Sequence, residues 1–375
     1  MSYWNRFIHH EVDAIIIGGG FTGLRTALNL RDKHPNWSIL VVERMTKGSA
    51  ASTRNAGFAC FGSVGEILDD LKHSDRDQME ELIRHRFDGI SELRKIDSID
   101  LVPAGGYEVF TPEDEAVYND TLSKIPEINE LVREATGIRD VFKPASIESF
   151  GMNFLPEAIY NEFEFQINPG LLWNVLRDQC AEADVVVRIG SEVESIEAIQ
   201  GGYRIHLERA EVSCKRLILC TNGLTSTLVP LLNVQPARGQ ILLTKPIDGV
   251  IPTGNFHASA GYYYFRNVGD KILLGGARHL FKEDEQTEST FITSQVLGHL
   301  QDYLSNYILP NQKWELEHAW AGTMGMAPGK KPIVSEIDEN MFIAAGLGGM
   351  GVALSHRIAR NLTDLVMQKN PAANG

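Results

Sequence analysis

A chain of 375 residues is more than twice the ~150 residues that one core commonly organises, so two intertwined domains are expected. With 43% hydrophobic and 22% charged residues it has an ordinary globular composition, which excludes disorder, collagen and coiled coil as the main architecture. The 35 Lys and Arg against 49 Asp and Glu give a net charge of −14, which repels phosphate backbones and argues against nucleic acid or anionic membrane as a partner.

In chain order, the amino end alternates strand and helix, the pattern of a parallel sheet covered by helices. Strands are predicted near residues 12–17 and 38–43, with a helix near 22–33 between them. Over 65–97 apolar residues recur at helical spacing (Ile67, Leu68, Leu71, then Leu82, Ile83, Phe87, Ile90, Leu93), which predicts long helices. After Pro103 the texture changes to short β-like pieces and turns. Asn168-Pro169-Gly170 opens a second α/β stretch, a helix and then strands at 185–188 and 193–199. From about 236 to 320 the chain is β-rich, with strands predicted at 240–243, 261–266 and 271–275; Glu283-Asp284-Glu285 within it reads as a solvated turn. A strand at 341–345, a glycine loop and a helix over about 352–368 close the chain.

The strongest motif is Val12-Asp13-Ala14-Ile15-Ile16-Ile17-Gly18-Gly19-Gly20-Phe21-Thr22-Gly23-Leu24, a strand running into G-x-G-x-x-G and a helix. Gly18 permits the tight turn, Gly20 lets a pyrophosphate approach the backbone, and Gly23 lets helix pack closely on strand. Glu43, twenty residues after Gly23, stands at the end of the second strand, where a carboxylate accepts hydrogen bonds from ribose hydroxyls. The motif alone does not choose between NAD and FAD.

Two further segments choose FAD through a resemblance. Gly48-Ser49-Ala50-Ala51-Ser52-Thr53-Arg54-Asn55-Ala56-Gly57-Phe58, just after Glu43-Arg44, resembles the GAS-x-RN-x-G stretch of the D-amino-acid oxidase, glycine oxidase and sarcosine oxidase family of flavoproteins. Near the carboxyl end, Gly346-Leu347-Gly348-Gly349-Met350-Gly351-Val352 is similar to the family's second flavin contact, where a helix amino terminus stabilises negative charge on the reduced ring. Val193, the turn Thr221-Asn222-Gly223 and the segment Pro236-Ala237-Arg238-Gly239-Gln240 resemble the family's adenine-side valine, its strand-end turn and its P-x-RGQ crossing. The resemblance implies an α/β architecture: a Rossmann-like FAD-binding domain of the glutathione-reductase type from 1–95, 150–235 and 321–375, with a β-rich α+β substrate domain from 96–149 and 236–320. It implies noncovalent FAD held by Gly18, Gly20, Phe21, Thr22, Gly23, Glu43, Arg44, Ser52, Thr53, Asn55, Ala56, Gly57, Val193, Thr221, Gly223, Gly346, Gly348, Gly349, Met350 and Gly351.

Candidate substrate contacts are Tyr263, Tyr264, Arg266 and Met350. In the strand Gly261–Arg266, Tyr262, Tyr264 and Arg266 share one face and Tyr263 and Phe265 the other. The resemblance places Tyr263 toward substrate, the alternation does not choose a face, and a plain sheet core is the competing reading. The arginines that clamp a substrate carboxylate in glycine and D-amino-acid oxidases meet Gly349 or Met350 and Thr323-Met324 here, which disfavours a simple α-amino acid unless Arg266, Lys330 or Lys331 substitutes. The oxygen-activating lysine of sarcosine-oxidase relatives meets leucine in Ile272-Leu273-Leu274-Gly275, and no cysteine follows Cys220 to tether a flavin.

The cysteines Cys60, Cys180, Cys214 and Cys220 form no CxxC pair, and no leader or membrane-length apolar run precedes the first strand, so a reduced, cytoplasmic protein is expected. Histidines are scattered apart from the pair His9-His10; no metal-ligand spacing occurs and no metal is expected. His257 and His279 are placed to reach a pocket, against the plainer reading of ordinary packing.

Together these features predict an FAD-dependent oxidoreductase oxidising the C–N bond of a small amine or modified amino acid by hydride transfer to flavin N5. The imine would then be hydrolysed and the electrons passed to oxygen or another acceptor. The alternatives are a 2-hydroxy-acid dehydrogenase serving a quinone or carrier protein, and a flavin oxidase domain acting on modified tRNA.

Overall fold

Seven residues open the first sheet. The strand Glu11–Ile17 is buried from Ala14 to Ile17 because parallel strands flank it on both edges, Ile39–Val42 and Ala210–Leu219, with Ile15 opposite both Leu40 and Leu217. Burial on both faces accounts for its continuous apolar run in place of an alternation. A computed structural model describes residues 11–368, with Ser49, Arg209 and Leu231 excepted, so His9-His10 and Ser49 lie outside the described residues. Val186–Arg188 extends the sheet in parallel beyond Ile39–Val42. The ten-residue strand Ala210–Leu219 forks: its start pairs antiparallel with Gly202–Leu207 and its end pairs in parallel with Met341–Ala345. The first helix, Phe21–Lys33, buries Leu24, Ala27 and Leu30 and packs on the final helix, Gly351–Gln368. Those three positions fall on one helical stripe.

Among the described residues, this sheet and its helices form one compact unit, from within 1–53, 170–236 and 324–375, and those of 54–169 and 237–323 form the second. In the second unit an eight-stranded sheet runs in the order Leu316–Met326, Gln235–Thr244, Lys271–Gly276, Tyr263–Val268, Asn255–Ala258, Gly106–Glu108, Glu157–Asn161, Phe142–Ser146. One face carries Leu242, Phe256, Phe265 and Leu274, covered by Val296 and Leu300 of the helix Ser294–Tyr303; Phe256 and Phe265 stack 4.6 Å apart. The other face carries Ile241 and Leu273 with Leu243, Tyr264, Phe58 and Trp320 around them.

Three features differ from the sequence expectations. Residues 54–95 and 150–169, expected with the nucleotide domain, pack in the second unit: the helices Val64–Leu71 and Arg76–Leu93 lie against the helix Glu115–Thr136. That helix itself falls where only short β-like pieces were expected. Pro126 interrupts its propensity, yet Tyr118, Thr121, Ile125, Ile128, Val132 and Ala135 give it a buried stripe. The strand expected at 261–266 begins at Tyr263, because Ser259, Ala260 and Gly261 all adopt positive φ and form the turn before it.

Candidate active site

The glycine loop leaves donors at the start of the first helix. Its N-cap residue, Gly20, makes no side-chain capping bond, and the first turn contains no acidic residue, so an anion finds backbone N–H groups and the positive end of the helix dipole there. Gly18 has φ of 106°, and a Cβ on it would lie 2.4 Å from Cys220 O; a Cβ on Gly23 would lie 1.9 Å from Gly18 O. Both positions exclude any larger residue. Glu43 is 5% exposed and already has work inside the loop: Oε2 accepts from Gly19 N at 2.9 Å and Oε1 from Met45 N at 2.9 Å. A carboxylate has about four acceptor positions, so capacity for ribose hydroxyls remains. Ser52 Oγ accepts from Phe21 N at 3.0 Å and Trp173 Nε1 donates to Gly19 O at 2.7 Å, so the short helix Ala50–Thr53 and the helix Pro169–Glu182 both brace the loop. The cradle is one a dinucleotide fits.

The carboxyl-end loop belongs to the same unit. Asn222 Oδ1 accepts from Gly346 N at 3.0 Å and Leu347 N at 3.3 Å, so the turn Thr221–Gly223 pins the loop through a side chain whose role no local pattern marks. Gly346 and Gly348 take φ of 78° and 57°, which suits glycine, and the helix Gly351–Gln368 starts directly after Met350. Gly349 is exposed and Met350 half-buried. Val193 is half-buried on the strand Val193–Ile199, and Arg44 lies 3.8 Å from Glu192.

Arg54, Asn55, Ala56 and Gly57 lie in the second unit. Asn55 Oδ1 accepts from Gly57 N at 2.8 Å, Trp320 Nε1 donates to Arg54 O at 3.0 Å and Arg54 Nη1 to Ala321 O at 3.2 Å. Beside this segment, Tyr264 and Phe58 rings meet edge-on at 6.0 Å. Arg266 is 9% exposed, gives Nη2 to Ile167 O at 3.2 Å and keeps Nε without a hydrogen-bond partner, and burial pushes its guanidinium down to about 10. Tyr263 points the other way. It stacks on Tyr303 at 4.0 Å and its hydroxyl lies 2.6 Å from His299 Nε2, inside the helix-covered core. The structure thus brings Tyr264, Arg266 and Phe58 together and sets Tyr263 apart.

Sequence spacing gave no sign of a second cluster. His257 sits opposite Tyr264 in the strand register, with Nε2 2.9 Å from Glu164 Oε2 and Nδ1 3.6 Å from Glu66 Oε2. Burial pushes the imidazole down, but Glu164, Glu66 and Glu108 outweigh it and raise it to about 9. Burial holds the Glu108 carboxyl up at about 7, against the Gly65 backbone N–H that stabilises its charge. The Cys60 thiol, buried beside Glu164 and Glu66, is pushed well up. Glu285, expected in a solvated turn, is 1% exposed and paired with Arg238, because the motif Pro236–Gln240 reaches into its loop.

The model of the FAD dependent oxidoreductase family, DAO, matches residues 13–365. A probable oxidoreductase OrdL of Rhizobium meliloti is 23% identical over 96% of this chain and 84% of its own. The gamma-glutamylputrescine oxidoreductase of Escherichia coli is 21% identical over 94% of this chain and 83% of its own. Among solved structures, a glycine oxidase from Geobacillus kaustophilus shares the fold with a TM-score of 0.75 at 21% identity, covering 97% of this chain and 96% of that one. Among the described residues no helix is long and apolar enough to cross a membrane. A family match spanning both glycine loops and the sheet of the second unit accounts for the dinucleotide cradle, and the chain belongs to the DAO family of FAD-dependent oxidoreductases.

Proposed function

We propose that the chain oxidises the C–N bond of a small amine or a modified amino acid, and that it does so in the cytoplasm. When bound, FAD supplies the two-electron acceptor for the C–H bond beside that nitrogen. The residues that would hold it without a covalent link are the Gly18–Gly23 loop, Glu43, Ser52, Asn55, Gly57 and the Gly346–Gly351 loop; all four cysteines are buried. Tyr264, Arg266 and Met350 are proposed to orient substrate, and Tyr263 to act through the packing behind them.

One observation carries the amine emphasis. The positions at which the family resemblance expects carboxylate-binding arginines hold Gly349 and Met350 in one loop and Thr323 in the other, and Thr323 is 4% exposed with its hydroxyl donated to Glu288 O at 3.2 Å. None of these is a cation that pairs with a carboxylate, which leaves only Arg266, Lys330 or Lys331 to take that part. The relatives' names span both chemistries, a gamma-glutamylputrescine oxidoreductase and a glycine oxidase. Anaerobic spectra of the purified protein, taken before and after adding amines, amino acids and 2-hydroxy acids, test the reading. Amines should bleach the flavin faster than glycine or D-alanine by about tenfold or more, the scale of one charged hydrogen bond. Bleaching by glycine or D-alanine at the amine rate, or by 2-hydroxy acids alone, overturns it.

A second reading concerns the acceptor. Leu273 stands with Tyr264 and Ile241 on the same sheet face, in the strand where the resemblance expects a lysine that activates oxygen. We infer that reduced enzyme passes electrons faster to a dye or quinone than to oxygen; stopped-flow reoxidation that is faster with oxygen would reject this.

A further inference from the structure

We propose that the second unit holds a structural zinc ion between Cys60, Glu164 and His257. The thiol sulfur, a carboxylate oxygen and an imidazole nitrogen lie within 4.8 Å of one another, and the three residues are 4%, 1% and 3% exposed. Sheet pairing fixes where they meet. Cys60 follows the strand Phe58–Ala59, Glu164 precedes Phe165–Gln166, and Ala59 pairs with Phe165 across these strands; His257 comes from Asn255–Ala258. Donors that converge from three separate segments are set by the fold, not by local chain flexibility.

Charge requires a counterpart there. Glu66 and Glu108 join Glu164 around His257, and the Cys60 thiol lies beside two of these three carboxylates, while the neighbouring Arg86 is taken up by Asp70 at 3.2 Å and by Phe61 O. An uncompensated buried charge costs several kcal/mol, so either protons or a cation must balance the group. The donor chemistry favours the cation. Thiolate, imidazole and carboxylate together are the ligand types of zinc, with bonds of about 2.0–2.3 Å.

The surroundings match a ligating histidine. His257 turns Nε2 to Glu164 and Nδ1 toward Glu66, an outer carboxylate that would fix the tautomer of a metal-bound imidazole. Asn255 Nδ2 donates to Glu164 Oε2 at 3.3 Å and steadies that carboxylate in the same way. The void lined by Glu108, Glu164 and His257 has no room for a water molecule, so these donors would be closed to solvent. That is a closed, structural site and not a hydrolytic one. On binding, Cys60 gives up its thiol proton and the proton between His257 Nε2 and Glu164 leaves; no electrons move.

Elemental analysis of tag-free, flavin-loaded protein after dialysis against a chelator tests this, with X-ray absorption at the zinc edge. About one zinc per chain is expected, with a sulfur scatterer near 2.3 Å. Glu66→Gln, which keeps the shape of the outer group facing His257 and removes its charge, should weaken zinc retention about tenfold or more. Cys60→Ser should lose the sulfur scatterer while Cys180→Ser keeps it, which separates ligand loss from general destabilisation. Protein free of metal whose melting temperature ignores both zinc and chelator overturns the proposal, and protons then balance the cluster. Zinc without a sulfur ligand, or zinc unchanged in Cys60→Ser, also overturns it.

Discussion

Arg238 grips Glu285 with two parallel hydrogen bonds, Nε to Oε2 at 2.9 Å and Nη2 to Oε1 at 2.6 Å, and the two residues are 5% and 1% exposed. The same guanidinium donates through Nη1 to Phe291 O at 2.8 Å, and Gln240 Nε2 adds a bond to Glu285 Oε1 at 2.9 Å. Two polar residues of the Pro236–Gln240 motif thus anchor the loop from Glu283 to Thr293 to the edge of a strand. Forked pairing of this kind is stronger and more directional than a single charged hydrogen bond.

Breaking the pair strands a buried charge. Arg238→Met should cost about 3–5 kcal/mol of stability, and adding Glu285→Leu to the same chain should recover part of it, since removing both charges leaves neither unpaired. Urea unfolding of the two single variants and the double variant reads this directly. A double variant as unstable as the sum of the singles would show that the residues act independently.

The cradle tolerates no side chain at its tightest points. Gly23→Ala would press a methyl 1.9 Å from Gly18 O, and Gly18→Ala would meet Cys220 O at 2.4 Å. Both variants should purify with a flavin-to-protein absorbance ratio well below that of the parent. Glu43→Gln keeps the shape and should instead raise the FAD dissociation constant about tenfold, the scale of one charged hydrogen bond. Full flavin content in Gly23→Ala would contradict this account of the loop.

The thiols should be silent in the folded protein. Burial pushes Cys180, Cys214 and Cys220 up to about 12, and all three side chains are buried. Reactivity follows thiolate fraction and access. A thiol-reactive dye should label none of these three at neutral pH and all of them after denaturation; fast labelling of native protein would show that the packing opens.

His279 should make the protein acid-sensitive. Burial, with His299 and Arg278 nearby, holds its imidazole below the ordinary 6.5, so the folded state resists protonation that the unfolded state accepts. The contribution is therefore present above pH 6.5 and is lost as pH falls below it through the folded value. Melting curves from pH 7.5 to 5 should show a shallower decline in His279→Gln than in the parent. An unchanged slope would place the acid sensitivity elsewhere.

Much of the nucleotide unit was legible because its signals are local. A strand, three glycines at set spacing and a helix follow one another within Val12–Leu24, and backbone geometry ties each glycine to its place. The acidic residue at the end of the next strand is a short chain distance away, as is the capless helix start. The helix Glu115–Thr136 was also written locally, in the spacing of Tyr118, Thr121, Ile125 and Ile128, and Pro126 obscured it.

What the chain determines by itself is therefore the two glycine loops, since each depends on conformations that neighbouring residues impose, and with them the motifs whose resemblance implies the family and FAD. Only the tertiary structure decided the rest. Alternation puts Tyr264 with Arg266, but whether the helix Ser294–Tyr303 covers their face or that of Tyr263 is set by the assembly. Whether Glu285 meets water or Arg238, and whether Cys60, Glu164 and His257 meet at all, depends on strands brought together from distant parts of the chain. Burial and charge pairing are properties of that assembly, and no window of the sequence contains both partners.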